Sequence, residues 1–121
     1  MNNLSTNFNF IGENTTFKGD LFLSGNTHVY GKVIGDIRGD KHITLTIEYS
    51  GQVQGNITGI NVIIQGQLLG NISGANKVEV TSTGKSEGIL TSKSFQIYPG
   101  AKITGDIRSI EISSNSQLLD S

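Results

Sequence analysis

Apolar and polar residues alternate over short stretches of this chain, and one such stretch keeps returning. In Gly31-Lys32-Val33-Ile34-Gly35-Asp36-Ile37 the residues Val33, Gly35 and Ile37 lie two apart and share one face of a strand, leaving Lys32, Ile34, Asp36 and Arg38 on the other. Copies follow at Gly51-Gln52-Val53-Gln54-Gly55-Asn56-Ile57, Gly66-Gln67-Leu68-Leu69-Gly70-Asn71-Ile72, Gly84-Lys85-Ser86-Glu87-Gly88-Ile89-Leu90 and Ile103-Thr104-Gly105-Asp106-Ile107, with a partial copy at Phe17-Lys18-Gly19-Asp20-Leu21. The shared glycines Gly19, Gly35, Gly55, Gly70, Gly88 and Gly105 are separated by 16, 20, 15, 18 and 17 residues. An interior glycine weakens a strand, so its recurrence at one place in every copy marks a corner where the backbone bends or closely approaches a neighbour.

Between the copies lie further alternating stretches: Ile43-Thr44-Leu45-Thr46-Ile47, Val62-Ile63-Ile64, Val78-Glu79-Val80, Phe95-Gln96-Ile97 and Ile110-Glu111-Ile112. Turn-forming linkers such as Arg38-Gly39-Asp40-Lys41 and Ser73-Gly74-Ala75-Asn76 separate them, so each period holds two or three short strands. Short strands, glycine corners and a period near 17 residues predict an all-β, single-stranded parallel β-helix of about six coils, stacked at roughly the 4.8 Å strand spacing into a rod about 29 Å long. Stacking puts like on like. It predicts a core ladder of Val33, Ile37, Val53, Ile57, Leu68, Ile72, Leu90, Ile103 and Ile107, and an outer ladder of Asp36, Asn56, Asn71 and Asp106.

The ends of the chain differ from its middle. Residues 1–9 and 113–121 are rich in Asn and Ser and are expected to be flexible tails flanking a β-helix over residues 10–112. Phe8, Phe10 and Ile11 are read as belonging to the first strand rather than to an apolar hook for a membrane. A β-helix end exposes a coil of unpaired backbone and an apolar cross-section, and no capping helix is legible here. Phe8, Phe10 and Ile11 at one end and Ile110 and Ile112 at the other are therefore the candidate polymer interface.

Composition narrows the function. One proline, 16 glycines, no tryptophan and no cysteine leave strands and turns, with neither a disulfide framework nor a thiolate metal site. A formal net charge of -1 gives no overall attraction to nucleic acid. No GxxxxGK[ST] loop is present, so no nucleotide is expected; His28 and His42 stand without a metal-ligand motif, and Asp40 beside His42 has no nucleophile motif to complete a triad. No catalytic residue, cofactor or metal is predicted. The N-terminus lacks a secretory signal and no stretch approaches the ~20 apolar residues of a spanning helix, which makes a cytoplasmic protein the expectation.

The repeated Gly-x-Val-x-Gly-[Asp/Asn]-Ile, the opening Ile11-Gly12-Glu13-Asn14-Thr15-Thr16-Phe17-Lys18-Gly19 and the closing Pro99-Gly100-Ala101-Lys102-Ile103-Thr104-Gly105 together resemble the bactofilins over about residues 10–112. The resemblance implies a right-handed β-helix of triangular cross-section that polymerises without nucleotide into bacterial cytoskeletal filaments. It further implies self-association as the main partnership, with the inner-membrane surface or cell-wall enzymes as further partners, and a part in cell shape or wall synthesis. Ser86, where the other copies place a branched residue, departs from the pattern, as do the short tails. Two readings from other classes are a monomeric or dimeric β-helix acting as an adaptor or carbohydrate-binding module, and a left-handed β-helix acyltransferase, whose strict six-residue repeat the steps of 15 to 20 do not keep.

Overall fold

A computed structural model describes residues 8–109. It is built entirely of strands and turns. The first coil carries β1 (Phe8–Ile11), β2 (Thr16–Lys18) and β3 (Leu21–Phe22); the second β4 (Asn26–Val29), β5 (Lys32–Ile34) and β6 (Ile37–Arg38); the third β7 (Thr44–Ile47), β8 (Gln52–Gln54) and β9 (Ile57–Thr58). The fourth has β10 (Asn61–Ile64), β11 (Gln67–Leu69) and the start of β12 (Ile72–Val80), which runs on into the fifth coil. In the same way β13 (Lys85–Ile97) completes the fifth coil and enters the sixth, and β14 (Lys102–Ser109) finishes it.

All strand pairs are parallel, and each strand pairs with its counterparts in the adjoining coils, on both sides in the middle of the stack. The result is a β-solenoid of about six turns with three faces. Face A stacks β1, β4, β7, β10 and the ends of β12 and β13; face B stacks β2, β5, β8, β11 and the starts of β13 and β14; face C stacks β3, β6, β9 and the parts of β12, β13 and β14 that follow the glycine corner. The spacing of face B is that of the glycines, since Thr16, Lys32, Gln52, Gln67, Lys85 and Lys102 are successive partners in one row.

Four inward rows, with Leu23, Ile43, Ile60 and Ala75 at the corner between faces C and A, fill the core. Face A contributes Ile11, Val29, Ile47, Ile64, Val80 and Ile97, and a second row running from Asn9 through Thr27, Leu45, Val62 and Val78 to Phe95. Face B contributes Phe17, Val33, Val53, Leu68, Ser86 and Ile103, and face C contributes Leu21, Ile37, Ile57, Ile72, Leu90 and Ile107. Val33 and Ile37 are both fully buried, but not on one strand as the alternation predicts: Gly35 and Asp36 separate β5 from β6 and turn the chain from face B to face C. The period of two survives the corner by coincidence of geometry, because one residue on each side of it points inward.

The corner explains the glycines. Gly35, Gly55, Gly70, Gly88 and Gly105 all have φ between +125° and +151°, a region that disfavours side chains. A Cβ at Gly55 would lie 2.0 Å from the Gly35 carbonyl oxygen, and one at Gly70 would lie 1.9 Å from that of Gly55. Each coil sits against the bare backbone of the one before it.

Candidate assembly interface

Burial falls away toward the two ends of the solenoid while residue type does not. In the face C row Ile37, Ile57 and Leu90 are fully buried, whereas Leu21 in the first coil is half-buried and Ile107 in the last is 43% exposed. In the face B row Val33, Val53 and Leu68 are fully buried, while Phe17 and Ile103 at the ends are half-buried. Face A repeats this. Ile11 is half-buried at one end, and Ile97 is 44% exposed at the other, against complete burial of Val29, Ile47 and Ile64 between them. A residue in a middle coil is covered by the coil above and the coil below, and a residue in a terminal coil has only one such neighbour.

The backbone ends in the same condition. Among the described residues, β1, β2 and β3 pair on one side only, with β4, β5 and β6, and the strand segments of the sixth coil pair only with the fifth. Among the described residues each end thus presents three short open strand edges around an apolar centre. Such an edge is a template for further pairing unless it is covered.

The sequence-predicted interface residues are placed unevenly. Ile11 lies in an inward row at the first coil. Phe10 does not: it pairs in register with His28 on the outer side of face A and is 63% exposed, stacked on the His28 ring at 5.6 Å between centroids and near Tyr30 at 6.1 Å. Its place is the rim of the end, on the flank. The backbone of Phe8 pairs with Asn26, so β1 begins inside the segment expected to be an N-terminal tail. Ile110 and Ile112 lie outside the described residues.

Of the core ladder, Val33, Ile37, Val53, Ile57, Leu68, Ile72 and Leu90 are buried. Ile103 and Ile107 stand in the same inward rows at the sixth coil; Ile103 is half-buried and packed against the core, while Ile107 is exposed, so its burial is the correction, and it follows from there being no described coil beyond it. Phe17, Leu21, Phe95 and Ile97 are the end-facing residues that sequence reasoning missed. Their signal was the count of copies, which makes 17 and 21 the first members of their rows.

Side chains of the outer rows also join successive coils. The backbone N–H of Asp36 donates to Asp20 Oδ1 at 3.1 Å, that of Asn56 to Asp36 Oδ1 at 3.0 Å, that of Asn71 to Asn56 Oδ1 at 3.2 Å and that of Ile89 to Asn71 Oδ1 at 2.8 Å. The predicted outer ladder is therefore a chain of side-chain oxygens receiving backbone amides of the next coil. His28 Nδ1 lies 2.7 Å from Glu48 Oε2, which ties coil two to coil three. The Tyr98 hydroxyl donates to Glu79 at 3.1 Å, and this hydrogen bond, followed by desolvation and the Glu79 charge, raises the phenol above its ordinary value. These are structural contacts.

Among the described residues no group of His, Cys, Asp or Glu is arranged to hold a metal ion, and no helix is long and apolar enough to cross a membrane. No curated protein and no solved structure was found to match the chain. A family profile for the bactofilins, described as polymer-forming and cytoskeletal, matches residues 9–108, which takes in all but the first residue of the solenoid's strands at one end and all but the last at the other. With six stacked coils, a glycine corner in each and, among the described residues, an apolar cross-section at either end already in view, this chain belongs to the bactofilin family of polymer-forming cytoskeletal proteins.

Proposed function

We propose that the chain assembles end to end, without nucleotide, into filaments whose role is structural, a scaffold in bacterial cell shape or wall organisation. The single observation that carries this reading is the pair of terminal cross-sections, each with inward-row residues that are half-buried or exposed where their counterparts one coil inward are fully buried. Joining two ends covers those residues and pairs the open edges. At ~25 cal/mol per Å² of apolar surface, even a few hundred Å² per junction supplies several kcal/mol before the cost of association is subtracted. With both ends open among the described residues, the contact propagates rather than closing at a dimer.

In this reading the partner at each end is another copy of the chain, the working compartment is the cytoplasm, and the inner-membrane surface or wall-building enzymes are served by the filament's flanks or tails. The test uses Leu21→Lys at one end and Ile107→Lys at the other, singly and together. Sedimentation should show filaments for the natural chain, small oligomers for each single variant and monomers for the double variant, with the strand signal in circular dichroism retained. Filaments that persist in a folded double variant would move the contact to the side faces and end this reading.

A further inference from the structure

The corner between faces A and B varies in length from coil to coil. Four residues make the turn at 12–15, 48–51, 81–84 and 98–101, and only two at 30–31 and 65–66. The longer turns close on themselves: Gly51 N–H donates to Glu48 O at 2.7 Å and Gly84 N–H to Thr81 O at 2.9 Å. They are also braced. The Ser50 hydroxyl donates to Tyr30 O and the Thr83 hydroxyl to Gln65 O, each to the preceding coil, at 2.8 and 2.7 Å. Where the two-residue corner of coil four lies between the four-residue turns of coils three and five, a slot opens with a volume of about 490 Å³. That is within the roughly 300–1,000 Å³ range of small-molecule sites.

The lining of this slot has a consistent chemistry. Tyr49, 77% exposed, stands at one wall with the Ser50 turn, and Ser82 and Thr83 form the other wall. Gly66 belongs to the coil between them, and Gln52, Gln67, Lys85 and Lys102 from face B are also part of the lining. No carboxylate lines it. Lys85 and Lys102 are direct partners across the β13–β14 ladder, and like charges placed opposite each other on paired strands repel. Neither forms an ion pair among the described residues; Glu87, the acid of the same face, shares a neighbouring hollow with both lysines but is within salt-bridge distance of neither.

We propose that this slot binds a hydroxylated ring bearing one anionic group, a sugar phosphate or a uronic acid, with Lys85 and Lys102 receiving the anion, Tyr49 stacking on the ring, and Gln52 and Gln67 meeting its hydroxyls. The anion relieves the repulsion between two lysines that are direct partners on paired strands. The ring occupies a space that the braced turns keep open, at little cost in ordering, and an exposed tyrosine offers the apolar face that a pyranose ring needs. The slot opens on the flank of the solenoid and reaches the sixth coil at Lys102; the experiment below reads ligand binding and the one above reads assembly, so the two readings fail separately.

The test is titration of the full-length chain with glucose 6-phosphate, glucuronate, glucose and inorganic phosphate, followed by calorimetry and by saturation-transfer NMR, which tolerates large assemblies. At least one charged sugar should bind about tenfold more tightly than either glucose or phosphate alone, and the tighter of the two names the source of the charge. Lys85→Gln with Lys102→Gln should erase the preference for charged sugars, and Tyr49→Ala should weaken the sugars while leaving phosphate unchanged; all three positions are exposed, so the fold is not at stake. Phosphate binding as tightly as glucose 6-phosphate would reduce the slot to a bare anion site and overturn the proposal. So would glucose binding as tightly as its charged relatives, or no saturable binding by any of the four.

Discussion

The backbone N–H of Asn56 donates to the Oδ1 of Asp36, 20 residues earlier and one coil away, at 3.0 Å. The same bond joins each coil to the next from Asp20 through Asn71, and it stops at Ile89, whose side chain has no acceptor to offer Asp106. Ile89→Asn is therefore expected to extend the chain of bonds by one and to raise stability by about 0.5–1 kcal/mol, the usual net worth of one hydrogen bond. The urea midpoint checks it, and an unchanged or lower midpoint would show that the ladder contributes nothing at this coil.

Gly55→Ala should be among the most damaging small substitutions in the chain. It places a Cβ 2.0 Å from the Gly35 carbonyl oxygen at φ +145°, so strain and a backbone clash act together and the cost is expected to exceed about 3 kcal/mol. Gly12→Ala, whose Cβ would meet nothing nearer than 3.5 Å and whose φ is not positive, should change stability by less than about 0.5 kcal/mol. Comparable unfolding midpoints for the two variants would contradict the stacked-corner account.

Ile57→Lys puts an unpaired charge into the centre of the face C row, where Ile57 is fully buried between Ile37 and Ile72. Burial of an isolated ammonium costs several kcal/mol, so this variant should lose its strand signal at room temperature. Ile89→Lys lies in an outer row one residue from Leu90 and should remain folded. Equal loss from both, read by circular dichroism, would reverse the inside and outside assignments.

Ser86 occupies the inward face B row between Leu68 and Ile103, and its buried hydroxyl oxygen has no hydrogen-bond partner. Ser86→Val removes an unsatisfied polar group and restores the branched residue that the neighbouring coils carry. A gain of about 1 kcal/mol is expected in chemical denaturation. Destabilisation would mean that the site is too tight for two methyl groups.

Assembly should be indifferent to ATP, GTP and chelator. The sequence contains no phosphate loop, and the described residues hold no cluster of metal ligands. Pelleting in the presence and absence of each checks this, and filaments that form only with nucleotide or dissolve in chelator would reveal a site outside this account.

Much of the solenoid is written locally. The recurrence of Gly-x-Val-x-Gly fixed the period, the corner and the inward residues Val33, Val53, Leu68, Ile57 and Ile72, because each coil repeats the same solution to the same local demand: a branched residue inside, a glycine where backbones touch, a short polar residue after it. Alternation carries that information only as far as the next corner. Beyond a corner the phase of inside and outside is set anew by how the chain turns, which is why Val33 and Ile37 could be read as one strand face and why Phe10 could be read as end-facing when its side chain points outward against His28.

What only the tertiary structure decided is everything that depends on the neighbouring coil. Ile57 and Ile107 are the same residue type at the same place in their copies, yet one is fully buried and the other 43% exposed, since burial belongs to the stack and not to the repeat unit. The slot beside Tyr49 has the same origin. It comes from the difference in turn length between coils that are 15 to 20 residues apart in sequence and adjacent in space, and the two lysines at its mouth become neighbours only when the strands that carry them pair. The sequence determined what each coil is; the order of stacking determined which of its surfaces are left open.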